Sequence, residues 1–114
     1  MDAVIYDIGY KSELAHVEYE NTYSNLEDEI EKLQKSNPPL KVLIADSFLE
    51  SDENENKFLE WVSSRLIPKI TKAIITRPDT EWLLLYSLTE KVGGWKGIKY
   101  SLDDGKMCIK KLEE

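Results

Sequence analysis

The stretch that most constrains this chain is Lys41-Val-Leu-Ile-Ala-Asp-Ser47, an unbroken apolar run from Val42 to Ala45 set between Pro38-Pro39 and the polar pair Asp46-Ser47. A short continuous apolar run bounded by turn residues suits a strand covered on both faces, as in parallel sheets with helices above and below. It leads into an acidic loop, Glu50-Ser-Asp-Glu-Asn-Glu55. Ligands of open α/β sheets sit beyond the carboxyl ends of such strands, so this loop is the first place to look for function.

On either side of this strand the pattern alternates. Val4, Tyr6 and Ile8 share one face of a first strand, Gly9-Tyr-Lys-Ser12 supplies a turn, and Ala15, Val17 and Tyr19 resume the alternation. Together they predict a β-hairpin. His16, the only histidine, points away from the Ala15/Val17/Tyr19 face and is expected on the exposed side. Ser24-Asn-Leu-Glu27 is a capping box, Leu26, Ile30 and Leu33 follow at helical spacing, and Asn37-Pro-Pro stops the helix.

After the 41–46 strand, Asp52 can cap a second helix with Glu55 at the matching position, and Phe58, Leu59, Trp61, Val62, Leu66 and Ile67 give it a wide apolar face. Pro68 is expected to end or kink it, and Lys72-Ala-Ile-Ile-Thr76 reads as a further buried strand. For residues 81–92 the uniformly apolar Trp82 to Tyr86 would suit a strand. The flanks (Asp79 or Thr80 as cap, Lys91 late, Gly93-Gly94 as terminator) favour a helix. Residues 97–102 read as a short strand. Lys106 to Leu112 fits a C-terminal helix, or a strand if Asp104-Gly105 makes a hairpin turn. The expected architecture is a single α/β domain over residues 1–114, with four to five strands in one mixed sheet, the 41–46 strand central and helices covering it.

Composition narrows the function classes. With 114 residues, 41% hydrophobic and 32% charged, the chain can build one ordinary core and is not of disordered type. Its apolar runs fall far short of the roughly 20 residues that span a bilayer, and Met1-Asp2-Ala3-Val4 lacks the basic and apolar regions of a secretory signal. One cysteine, Cys108, cannot form an internal disulfide, and its apolar neighbours suggest a core thiol; a cytoplasmic setting is expected. The formal net charge of −7 argues against nucleic acid, whose affinity rests on Lys and Arg neutralising phosphates.

The order of hairpin, helix, strand, helix, strand, helix, strand, helix, with Tyr6-Asp7, Ser24 to Leu33, Pro39-Leu-Lys-Val-Leu-Ile-Ala-Asp46, Leu66-Ile-Pro-Lys-Ile70 and Tyr100 to Leu112, resembles the STAS domain superfamily and its small SpoIIAA-like stand-alone proteins. The resemblance implies a non-enzymatic regulatory or protein-interaction domain acting through the loop after the central strand and the following helix. Such domains carry a phosphoacceptor Ser or Thr there, in a D-S-S-G-like tetrapeptide. Ser47 or Ser51 would hold the equivalent place, but the glycine and paired serines are missing. The acids around Ser51 would also oppose a phosphate.

Other chemistry is thinly supported. Asp46, Glu50, Asp52, Glu53 and Glu55 are hard oxygen donors of the kind that hold Mg²⁺ or Ca²⁺, yet the loop lacks the EF-hand glycine. Capping and solubility explain these acids without a metal, and no cofactor is expected. Gly93-Gly94-Trp-Lys-Gly97 has no Walker spacing. Trp95 in that segment and Trp61 on the second helix are candidate interface aromatics, and Trp61 and Trp82 are the candidates for surplus apolar helix surface in a homodimer. Three function classes stay open: an interaction domain acting through Asp46, Ser47, Ser51 and Asp52; a small-ligand or metal site using Asp46; and a homodimerisation module. The expected partner is a protein or a second copy, with neither nucleic acid nor membrane.

Overall fold

The computed structural model describes residues 3–6, 9, 12–20, 23–36, 38–49, 52–88 and 95–113, with 23–24, 46–49, 52–54, 88 and 113 described in backbone only. Six strands form one mixed sheet: β1 (Ala3–Tyr6), β2 (Glu13–Glu20), β3 (Leu40–Leu49), β4 (Glu81–Leu88), β5 (Trp95–Asp103) and β6 (Lys106–Glu113). Their order across the sheet follows their order along the chain. The middle pairs β2–β3 and β3–β4 are parallel, and the outer pairs β1–β2, β4–β5 and β5–β6 are antiparallel. The fold is thus α/β with a mixed sheet and β3 inside it, but the expected four to five strands become six: residues 81–88, expected as a helix, are a strand, the segment from Lys106, which the sequence leaves open between helix and strand, is a strand, and 72–76, expected as a strand, are helical.

Residues 81–88 make up the first of these segments. β4 is paired on both sides, and its apolar residues are divided between two faces, Trp82, Leu84 and Tyr86 on one and Leu83 and Leu85 on the other. A helix would have to bury them on one stripe; between two strands all of them find contacts, and this context overrides leucine's helix propensity. The expected cap, Thr80, turns back to bond Arg77 O at 2.7 Å, and the Glu81 amide donates to Pro39 O at 2.8 Å, starting the pairing with β3. At the C-terminus, Asp104 (φ 48°) and Gly105 (φ 78°) sit in left-handed conformations between the paired residues Asp103 and Lys106. That is the type I′ turn a two-residue Asp-Gly loop makes, so 106–113 is a strand and no C-terminal helix forms.

The third revision concerns 72–76. The second helical element begins as α2 (Asp52–Trp61), widens into a π-helical turn (Val62–Leu66) and continues as α3 (Ile67–Thr76). Pro68 therefore does not end the helix. The Ile67 amide donates to Val62 O, five residues back, and such a wide turn leaves room for a proline ring that lacks an amide. Ile70 and Ile74, four apart, are buried by this helix, while Ile75 is 63% exposed.

The first helix, α1 (Tyr23–Gln34), buries Leu26, Ile30 and Leu33 as their spacing predicts. α1 and α3 touch each other, and both join one core cluster with Leu43, Trp82, Leu84, Ile98 and Tyr100 of the sheet. Crossovers of the usual right hand that step the same way across a sheet place their helices on the same face. Here both helices lie on one face, and no described element covers the other.

Candidate functional site

The loop on which the sequence focuses attention is only partly described. β3 runs through Asp46 and Ser47, and its register with β4 shifts between Ala45 and Leu49. Asp46, Ser47, Asp52 and Glu53 belong to the backbone-only positions, and Glu50 and Ser51 lie outside the described residues. The structure does place Glu55. Its buried carboxylate accepts from Lys96 Nζ at 2.7 Å and from Tyr86 OH at 3.3 Å; the capping box with Asp52 lies outside the described side chains. The carboxylate meets these partners because Tyr86 and Lys96 face each other across β4 and β5. Phe58 packs on Tyr86 at 5.2 Å between ring centroids. An internally matched pair of this kind ties α2 to the sheet and leaves its acid with a partner.

A second polar group sits at the opposite end of the strands. Lys41 is fully buried; its Nζ donates to Ser36 O and, at 2.7 Å, to Ser36 Oγ. Arg77 Nη1 donates to the same Ser36 carbonyl at 2.8 Å, and Ser36 Oγ donates to Leu33 O at 2.7 Å. These groups satisfy the open carbonyls and negative dipole at the end of α1. Burial first, and Arg77 second, lower the Lys41 ammonium to about 8. Beside it on the sheet is His16, which is buried, not exposed as expected, with Nε2 2.7 Å from Glu13 Oε2. His16, Lys41, Trp82 and Tyr100 form one rung. His16 Nδ1, Trp82 Nε1 and Tyr100 OH on it have no hydrogen-bond partner, and burial pushes the Tyr100 hydroxyl up to about 12. None of the described cavities is lined by this rung. The best-formed cavity, about 360 Å³ between α1 and α3, is lined by Lys69, Lys72, Arg77 and Glu31 among others. Lys69 is already engaged with Glu27 at 3.3 Å and Glu31 at 3.5 Å.

The crevice in which α/β sheets bind ligands forms where strand order reverses and helices change faces. This sheet has no reversal, and both helices share a face. Among the described residues no group of three or more His, Cys, Asp or Glu could hold a metal. Cys108 is exposed, not a core thiol, because it points from the edge strand β6 to the uncovered face beside Ser101. Trp82 is buried in the core, and Trp61, half-buried, stacks on Phe58 at 6.4 Å. Trp95 is 38% exposed.

What remains is the uncovered face of the sheet, the one that no described element covers. Val17, Val42 and Leu83 form one of its rungs, which continues into Lys99 and Lys110, and Tyr19, Ile44, Leu85, Gly97 and Leu112 form the next; Val42 is buried, while Val17, Ile44, Leu83 and Leu85 are half-buried. A Cβ added to Gly97 would meet Leu85 Cδ2 at 3.0 Å and Leu112 Cβ at 3.5 Å, so leucines already close over that glycine. Tyr19, Trp95 and Leu112 around this zone are exposed. The alternation at Ala15, Val17 and Tyr19 was legible as an apolar face; that it is the face away from the helices was not. A signal was present: β3 and β4 are apolar on both sides, and the helices cover one.

No known protein family, curated protein or solved structure matches the chain. The element order on which the likeness to STAS domains rested is not the order the chain adopts, with strands at 81–88 and 106–113 and a helix through 72–76. No helix among the described residues is long and apolar enough to cross a membrane.

Proposed function

We propose that this chain is a non-enzymatic protein-interaction module that works by burying the uncovered face of its sheet. One observation carries the reading. All-parallel sheets occur almost only where both faces are covered, and the three-strand parallel set β2–β3–β4 inside this mixed sheet has helices on one face and, apart from Glu81 at its end, mostly aliphatic side chains on the other. Exposed apolar fields of a few hundred Å² mark interaction sites. The polar clusters support this indirectly, since Glu55 with Lys96 and Lys41 with Ser36 are matched within the fold. The interaction surface is moved from the loop at Asp46, Ser47, Ser51 and Asp52 to the sheet face.

An interaction face in an isolated chain is either covered by association or bare and able to bind an apolar dye. The test measures the mass in solution and the fluorescence of 1-anilinonaphthalene-8-sulfonate for the wild type and for Ile44→Lys. Association, or dye binding that Ile44→Lys weakens by several-fold, is expected. A chain that neither associates nor binds dye would refute the reading.

A further inference from the structure

We infer that the occupant of the uncovered sheet face is a second copy of this chain, packed face to face as a two-fold dimer. This rests on the interaction reading above and names its partner. Three observations select a copy of the chain over an unlike protein.

The first is charge. The whole chain carries −7, and a surface sharing that excess would repel its twin. Among the described residues, the charged side chains that β4, β5 and β6 place on the uncovered face and its ends are Glu81, Asp103, Lys99, Lys106 and Lys110, two acids and three bases. Glu81 and Lys99 already pair at 3.0 Å. A face this close to neutral has no charge pattern to select a strongly acidic or basic partner, and none to keep two copies apart.

Size is the second. From β2 to β6 the strands span roughly 19 Å, and three successive same-face positions along a strand span roughly 13 Å between Cα atoms. With side chains added, the face is on the order of 500 Å² per copy; Lys99 and Lys110 cross it and Val42 and Ala15 within it are buried, so contact must extend over its rim to reach the roughly 800 Å² of a standard interface. Tyr19 and Trp95, exposed at this rim, are residue types that anchor interfaces. Two flat sheets packed on each other form a sandwich layer about 10 Å thick, a geometry aliphatic side chains fill well.

The edges supply the third. A copy could instead add to the sheet at β1 or β6, but β1 is four residues long with an irregular step at Ile5/Tyr6, and β6 carries Lys106, Lys110 and Lys111. Short, irregular and lysine-bearing edges resist strand addition. Among the described surfaces of the sheet, this face is the one left for self-association.

The test is sedimentation velocity on the 114-residue chain from roughly 1 µM to roughly 200 µM, a range that brackets micromolar dissociation constants. The expected species is twice the 13.2 kDa chain, dissociating on dilution. Ile44→Lys and the rim variant Tyr19→Lys should each weaken the dimer at least tenfold, while Ile75→Lys, on the outer surface of α3, should leave it unchanged. Circular dichroism confirms that each variant is folded, and Tyr19→Lys, at a 45% exposed position, serves if Ile44→Lys is not. A dimer indifferent to both face variants would overturn the proposal. So would a chain that stays monomeric while binding the dye in a way Ile44→Lys abolishes, an outcome that leaves the interaction reading standing with an unlike partner. A monomer without dye binding overturns both.

Discussion

Lys41 shows how far a single residue can depart from what its neighbours in sequence suggest. It opens an apolar strand run, where a lysine would ordinarily be solvated, yet it is 1% exposed and bonded to Ser36. Nothing local announces this, because the partners that hold it come from the ends of α1 and α3. His16 was misplaced for the same reason: its burial depends on which face the helices choose. The Lys41 ammonium titrates near 8 in the folded chain against 10.5 unfolded. Between those values the unfolded chain holds the extra proton, so stability rises with pH there; below pH 8 the cost of burying the charge is fully present. Tyr100 acts in the opposite sense. Its hydroxyl is lost near 10 when unfolded and near 12 when folded, so stability falls through that window. The urea midpoint of the wild type should therefore rise from pH 8 and peak near pH 10, with a Lys41 contribution on the order of 3 kcal/mol. In Lys41→Met the rise should vanish while the fall above pH 10 remains. Stability at pH 7 should be equal or higher, since replacing a buried charge with an apolar side chain is often neutral or favourable and Arg77 still serves the Ser36 carbonyl. Identical pH profiles for the two proteins would show that the Lys41 charge is not buried.

At the scale of the element, the helix from Asp52 to Thr76 is the most informative. Its buried residues Phe58, Val62, Leu66, Ile70 and Ile74 recur every fourth position. A step of four overshoots an α-helical turn by about 40°, so four steps would carry the buried stripe about 160° round an ideal helix. The π turn at Val62–Leu66 holds one more residue per hydrogen-bonded loop and takes back part of that drift. The spacing was readable in the sequence, and so was Pro68; what was missed is that together they describe one long helix with a widened turn, not a helix followed by a strand. The sequence misses the strand at 81–88, and leaves 106–112 open between helix and strand, for a different reason. Leucine runs and Asp-Gly are ambiguous until the pairing partners are known, whereas α1, β2 and β3 follow period and punctuation that no tertiary contact had to override. If the π turn accommodates Pro68, deleting Ser63, an exposed residue within it, should restore α-helical winding and force the proline against the preceding turn, at about 3 kcal/mol. Pro68→Ala alone should change stability by no more than about 1 kcal/mol, and combined with the deletion it should recover most of the loss. Equal losses for the deletion in both backgrounds, measured by urea unfolding, would separate the π turn from the proline.

For the molecule as a whole, the question is where stability is concentrated and what that implies for assembly. β3 is flanked on both sides by parallel neighbours and lies beneath the helical layer, whereas β1 is a four-residue edge strand with Ile5 and Tyr6 exposed. Amide exchange reports local opening, which is cheapest at frayed edges and approaches the global unfolding energy in central strands. In the isolated chain at low concentration, amides of β3 and β4 should exchange slowest and those of β1 fastest, with β6 between because its eight residues pair along their whole length with β5. Raising the concentration separates two ways of associating. Face-to-face packing leaves the outer edges of β1 and β6 as they were, so their exchange should change little while β2, β3 and β4 gain protection. Edge-to-edge pairing would instead slow β1 or β6 selectively, because an added strand ties up the backbone groups that the edge leaves free. Exchange followed by mass spectrometry at two concentrations, on peptides covering residues 3–6, 40–45 and 106–113, reads this directly. Selective protection of either edge would place the contact at the rim of the sheet and remove the uncovered face as the surface this molecule uses.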